Sequence, residues 1–298
     1  MSGRVMSRSV LPGLGHAARL PPLLRLRTCT PDDSPMLTKA LNECLYDGYR
    51  FKIVLTPERF AEDCRIHDVD LSASFLAVEG SHPVGVALVS RRGERAWIGG
   101  MGVHPSLRGR GLGTELLGRT QDRLRALGAR QLLLEVLVEN TAARQCYTRA
   151  GFVARRRYSC FRGTASRIDW NGNASRVSKV HPSVILADYE SLHNTVACWQ
   201  RELATLHHRR DELKGLVARQ WHRTVATLLY SENAVADVGW DREGPPLGRP
   251  LHELLLAAFG PSRPLAIVNV PNDDPLCAVM RDGGFEVYAE QLDMACTL

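Results

Sequence analysis

Arg108-Gly109-Arg110-Gly111-Leu112-Gly113 lies between an apolar stretch, Ala96 to Val103, and an amphipathic one beginning at Leu112. Glycines at this spacing let backbone adopt conformations closed to other residues and pass close to a ligand. Free N–H groups at the start of the following helix then point at the same spot, which suits a pyrophosphate. No Lys-Ser/Thr pair closes a Walker loop, and the dinucleotide spacing GxGxxG is absent.

Outward from this loop, Ala96 to Val103 reads as a strand stopped by Pro105. The helix from Leu112 carries Leu116, Leu117, Leu124 and Leu127 on one broad face, with Gly128 as its stop. Gln131 to Val138 is almost wholly apolar, the pattern of a strand buried on both faces, and carries Glu135. Asn140 can cap a short helix that ends at Gly151-Phe152. Upstream, Leu24 to Arg27 alternates as a strand, Pro31-Asp32-Asp33 opens a helix over Met36 to Leu45, and Phe75–Val78 with Val84–Ser90 reads as a hairpin.

Taken together, Val103-His104-Pro105, the RxxGxG loop and Asn140-x-x-Ala143-x-x-x-Tyr147-x-x-x-Gly151-Phe152 resemble the GNAT superfamily of acyl-coenzyme A-dependent N-acyltransferases, over roughly Leu24 to Gly163. The resemblance implies an α/β (mixed α+β) fold, a splayed mixed sheet flanked by helices, and acetyl-CoA as co-substrate. Carried over residue by residue, amides of Arg108, Gly109, Arg110, Gly111, Leu112 and Gly113 hold the pyrophosphate, with the helix dipole at Thr114 adding attraction. The backbone edge of Met101, Gly102 and Val103 pairs with the pantetheine arm, and Asn140 contacts that arm. Tyr147 becomes the acid that protonates the leaving thiolate, against the reading of an ordinary core tyrosine. Glu135 becomes the base, since a carboxylate in an apolar strand is costly without a purpose. Its Leu134-Glu135-Val136 setting resembles the N-terminal-amine acetyltransferases of ribosomal proteins; a merely solvated strand glutamate is the other reading. Where many members of the superfamily place an acid on the preceding strand, this chain has Ile98-Gly99-Gly100-Met101.

Aligning Gly151-Phe152 with Gly284-Phe285 makes the second half a fainter copy. Leu265 to Val270 then matches the strand of Glu135, Met280 falls at the place of Tyr147, and Gly244-Pro-Pro-Leu-Gly248 replaces the arginine-glycine loop. The expected organisation is a basic leader (1–23), a GNAT domain (24–163), a linker (164–179), and a degenerate GNAT-like or unrelated α/β domain (180–298). Within the last, Ala187 to about Val225 reads as helical, and His207-His208-Arg209-Arg210 as a solvated charged face.

With 44% hydrophobic and 23% charged residues and no membrane-length apolar run, the composition is that of a globular chain. The net charge of +6 is concentrated in the first 28 residues, where Arg4, Arg8, Arg19, Arg25 and Arg27 stand without an acid. That distribution argues against a nucleic-acid reader and fits either a mitochondrial transit segment or a basic extension of a cytoplasmic protein. Eight scattered cysteines show no metal-ligand spacing, so no zinc is expected. The expected partner is an amine acceptor, either a protein N-terminus, a lysine or a small molecule. Tyr46, Asp47, Tyr49 and Asp63 are candidates to read it, and a homodimer through the second domain is open. The competing class is a catalytically silent coenzyme A-binding sensor or scaffold; transfer to an alcohol is a weaker option.

Overall fold

The computed structural model describes residues 23–45, 54–165, 173–193 and 196–298. Residues 1–22 of the leader, together with Tyr46, Asp47 and Tyr49, lie outside the described residues. In the first half, β1 (Leu24–Thr28), α1 (Ser34–Ala40, prolonged by a π turn Leu41–Leu45) and α2 (Pro57–His67) precede β2 (Phe75–Glu79), β3 (His82–Arg92) and β4 (Arg95–Val103). Then come α3 (Leu112–Ala126), β5 (Gln131–Leu137), α4 (Thr141–Arg149) and β6 (Val153–Gly163). The second half runs β7 (Arg176–Val180), α5 (Pro182–Ala187), α6 (Tyr189–Leu192), α7 (Leu203–His208), β8 (Lys214–Gln220), β9 (Arg223–Tyr230) and β10 (Ala234–Trp240). It closes with α8 (Gly248–Phe259), β11 (Leu265–Pro271), α9 (Pro275–Asp282) and β12 (Glu286–Thr297).

From β2 to β6 the order strand, strand, strand, helix, strand, helix, strand recurs from β8 to β12. All strands join one mixed sheet in the order β1-β2-β3-β4-β5-β12-β6-β11-β10-β9-β8-β7. Only β4–β5 and β10–β11 are parallel neighbours; the other described pairs are antiparallel. The two halves exchange strands at the centre. The last strand, β12, lies between β5 and β6, while β6 pairs β11 on its far side. A cut at 164–179 therefore does not yield two self-contained sheets, and β7 already begins at Arg176 inside that span.

One element differs in kind from expectation. Ala187 to Val225 is not one helical stretch: after short helices the chain forms the β8–β9 hairpin, turning at Trp221 with φ 58°. Its apolar run Leu216-Val-Ala fits both helix and buried strand by periodicity, and the sheet position decides for strand. His207 is exposed, as a solvated face requires, but His208 is partly buried. The helix α7 docks on α2, where His208 Nδ1 lies 3.1 Å from Ile66 O and Arg65 donates to His208 O at 2.8 Å.

The glycine-rich strand β4 shapes the cleft. Its pairing with β3 slips between Leu88–Gly100 and Val89–Ile98, leaving Gly99 as the extra residue of a bulge. Ile98 and Met101 consequently both pack on the α3 side, whereas Gly100 and Gly102 face the α1 side. A Cβ on Gly102 would lie 2.5 Å from the Cys44 carbonyl oxygen, so the end of α1 rides directly on strand backbone. Gly102→Ala is expected to lower stability by about 1–3 kcal/mol through this overpacking; denaturant unfolding checks it, and an unchanged midpoint would contradict the tight approach.

Candidate active site

Beyond the bulge the sheet splays. β4 and β5 pair only over Arg95–Ile98 and Gln131–Leu134, so Gly99 to Val103 on one side and Glu135 to Leu137 on the other flank an open wedge. Each stays fixed by its outer neighbour, β3 for β4 and β12 for β5. At the mouth of the wedge, Gly109 has φ 75° and Gly111 φ 89°, and an added Cβ would meet nothing at either. The left-handed backbone, not crowding, is what demands glycine there. Gly111 caps α3 with no side chain, and the first ladder bond is Glu115 N–H to Gly111 O at 3.0 Å. Amides of Leu112, Gly113 and Thr114 thus stand outside that ladder at the positive end of a 15-residue helix. Leu112 is buried and anchors the turn, while Gly109, Arg110, Gly111 and Thr114 are exposed.

Two expected contributors also make bonds within the chain. The Arg108 amide closes a turn on Pro105 O at 3.3 Å rather than joining the row of outward amides. Its guanidinium donates to Val103 O and Cys44 O at 3.0 and 3.4 Å, which ties the exit of β4 to the end of α1 and occupies part of the expected edge. Asn140 uses its Oδ1 to cap α4, accepting from Ala143 N–H at 3.1 Å.

Glu135 stands where the wedge opens. Its Oε2 accepts from Trp97 Nε1 at 2.7 Å, on the face of the sheet where Trp97 stacks on Trp199 with centroids 5.8 Å apart. Burial pushes its carboxyl up to about 7, the hydrogen bonds from Trp97 and Gln200 hold it down, and the charge of Asp293 raises it again. Asp293 is its cross-strand partner on β12, gripped by Arg155 at 2.8 Å and Arg156 at 3.4 Å. Tyr147 lies on the opposite face, packed with Leu132, Leu134 and Val136 of β5, and its ring is 5.8 Å from that of Phe152. A carboxyl that titrates near neutrality and a phenol thus flank one wedge from two sides, an arrangement able to take up a proton on one face and give one on the other. Asp63, a candidate acceptor-reading residue, instead pairs with Arg59 at 3.0 Å.

Sequence reasoning missed Trp97, Trp199, Gln200 and Asp293. Trp97 could have been found, since a polar-tipped aromatic two residues before a Gly-Gly bulge looks into whatever that bulge opens. Nothing in the sequence links Gln200 or Asp293 to a strand so far upstream.

The second half repeats the wedge and closes it. β10 and β11 pair only at Ala234–Ala266 and Val235–Ile267, and the β10 register slips at Ala236, so Asp237 takes the place of Gly100. Here Asp237, 2% exposed at its side chain, binds His193 at 2.7 Å and Arg201 at 3.1 Å. The enclosed space beside them is about 20 Å3, room for one water. Leu247, Gly248 and Pro250 at the start of α8 are buried, and Val268 and Met280 stand in place of Glu135 and Tyr147.

One open wedge and one plugged copy of it thus stand in a single sheet. Residues 36–152 match the family model for acetyltransferases of the GNAT family, and the chain carries a GNAT acetyltransferase domain in its first half. Over nearly its whole length the fold is similar to that of solved structures. A GCN5-related N-acetyltransferase from Sphaerobacter thermophilus is similar with TM-score 0.69 and 18% identity, over 94% of this chain and 97% of that one. A putative acetyltransferase from Pyrococcus horikoshii gives 0.67 and 17%, over 95% and 92%. A tandem GNAT protein from the clavulanic acid biosynthesis pathway gives 0.68 and 13%, over 92% and 98%.

Proposed function

We propose that this protein is an acetyl-CoA-dependent N-acetyltransferase, with Glu135 as general base and Tyr147 as general acid at the β4–β5 wedge. The observation that carries the reading is Glu135 itself: a carboxyl at the point of splay, held by Trp97, with its affinity for a proton raised to about 7. A sensor or scaffold has no use for a base tuned to neutrality.

The residues fit acetyl-CoA. The outward amides from Gly109 to Thr114 suit its pyrophosphate, and the unpaired edges at Met101 and Gly102 offer strand-like partners to an extended arm. The thioester supplies the activated acyl group. Glu135 takes the proton of the attacking amine as its nitrogen bonds the acyl carbon, and Tyr147 donates its phenolic proton to the departing sulfur. The acceptor class is a primary amine, whether a polypeptide N-terminus, a lysine or a small metabolite.

Thermal unfolding with acetyl-CoA, coenzyme A, NAD and ATP tests the reading. Acetyl-CoA and coenzyme A are expected to raise the melting temperature by a few degrees, and Gly111→Asp, which forces a carboxylate onto left-handed backbone inside the anion site, abolishes the shift. No shift from either coenzyme A species in the unaltered protein would rule out the transferase. Tyr147→Phe is expected to keep that shift and to lower kcat by about 100-fold or more; kcat equal to that of the parent would remove Tyr147 from the chemistry.

A further inference from the structure

Building on the transferase reading above, we infer that the second half completes the acceptor site: Gln200 receives an N–H of the incoming primary amine on its Oε1 while its amide group holds Glu135. Gln200 belongs to the 3-10 turn Trp199–Arg201, about 65 residues downstream of its carboxyl partner and part of no strand of the first half. Its side chain hydrogen-bonds the Glu135 carboxylate, and its Oε1 is buried with no donor among the described residues. A buried amide oxygen without a donor is costly, and the group best placed to satisfy it is the N–H that Glu135 is there to deprotonate.

The turn is held too firmly for this placement to be incidental. On the first-half side, Trp199 Nε1 donates to His67 O at 2.9 Å, Arg92 packs over its ring at 4.2 Å, and Glu202 takes Arg92 and Arg95 at 2.9 and 2.7 Å. On the second-half side, Arg201 reaches into the plugged wedge to bind Asp237, and its carbonyl accepts from Tyr189 Oη at 2.9 Å. The plugged copy therefore has a duty: its ion cluster anchors the turn that carries Gln200 to the working cleft. Burial keeps His67 beside Trp97 neutral, with its affinity for a proton lowered to about 4, so no imidazolium there repels an incoming ammonium.

The test uses the full chain, acetyl-CoA and three primary amines: a peptide with a free N-terminus, an N-terminally blocked lysine peptide, and a polyamine. Gln200→Leu is expected to raise KM for the best amine by about tenfold or more, the loss of a hydrogen bond to a charged group, with KM for acetyl-CoA within about twofold. Gln200→Glu keeps an acceptor oxygen and is expected to restore the amine KM while moving the acidic limb of kcat/KM to higher pH, because it sets a like charge beside Glu135. The other titratable or charged groups facing Glu135 are Asp293, Arg155, Tyr158, Cys160 and Cys198, all unchanged in both variants. An unchanged amine KM in Gln200→Leu would overturn the inference and leave the transferase intact. If Gln200→Leu does not fold, Gln200→Glu decides alone, and an unmoved acidic limb overturns it. Acetyl-CoA binding without transfer to any of the three amines would instead overturn the transferase reading, and this inference with it.

Discussion

Glu135→Gln is expected to cut kcat/KM by about 100-fold or more, the usual worth of a positioned general base, and at the same time to make the protein more stable at alkaline pH. The two effects have one cause. Desolvation raises the folded carboxyl to about 7, whereas in the unfolded chain it titrates near the ordinary glutamate value of about 4.3. A folded state that binds the proton more tightly than the unfolded one loses stability as pH rises between those two values. The penalty is absent below the lower one and complete above the higher. That difference corresponds to roughly 3–4 kcal/mol, which glutamine avoids while still accepting from Trp97. The variant should therefore melt several degrees above the parent at pH 8 and within about one degree of it at pH 4.5. The acidic limb of kcat/KM, expected near 7 in the parent because burial raises the Glu135 carboxyl to about 7, should vanish with the carboxyl. Activity that survived with the limb in place would assign the base elsewhere. Equal melting temperatures at pH 8 would show that the site does not strain the carboxylate.

Asp237→Asn is expected to have the largest effect on stability, a loss of about 3–5 kcal/mol, because it strands Arg201 and His193 in the interior without their counter-charge. Their side chains are 9% and 11% exposed. Both ring nitrogens of His193 face acceptors, Tyr189 O at 2.8 Å and Asp237 Oδ2 at 2.7 Å, the pattern of an imidazolium. Burial works against that charge, but Asp237 and the two hydrogen bonds outweigh it and raise its proton affinity. Asp237 in turn is pushed up by burial and pulled further down by His193 and Arg201, ending below the usual range. The raised histidine lends stability that is full below about 6.5 and lost as pH climbs through its folded value. The lowered aspartate lends stability that is full above about 3.9 and lost as pH falls through its folded value. The gap between parent and variant should thus be widest at mildly acidic pH and narrow towards both extremes. Urea unfolding across pH 4 to 9 measures it, and a difference below about 1 kcal/mol throughout would deny the cluster its structural weight. Loss of Arg201's anchor should also reach the working cleft, raising KM for the amine acceptor.

The loop Arg108–Gly113, the helix it opens, Glu135 in an apolar strand and Tyr147 on the next helix were all legible in the chain. Each is a local pattern: glycines where backbone turns left-handed, a period that marks the buried face, and a charge where periodicity asks for an apolar side chain. Arg108 and Asn140 were assigned to the ligand by resemblance. The structure gives the Arg108 amide to Pro105 and the Asn140 oxygen to the start of α4, bonds to close neighbours in the chain. The hairpin at Lys214–Tyr230 was hidden because an apolar run of that length satisfies two periods at once.

By itself the sequence determined the class of fold, the glycine-turned helix start that the proposed anion site uses, the positions of the proposed base and acid, and the fact that the second half repeats the first without them. Those properties live in residues near one another along the chain, where sterics and periodicity act. Only the tertiary structure decided how the halves share one sheet, with β12 beside β5 and β6 beside β11, so that Asp293 lies across from Glu135. It alone decided that Asp237 plugs the second wedge and that Gln200 meets the base. These are contacts between residues far apart in sequence, fixed by burial of charge and by strand register, and no local pattern encodes either.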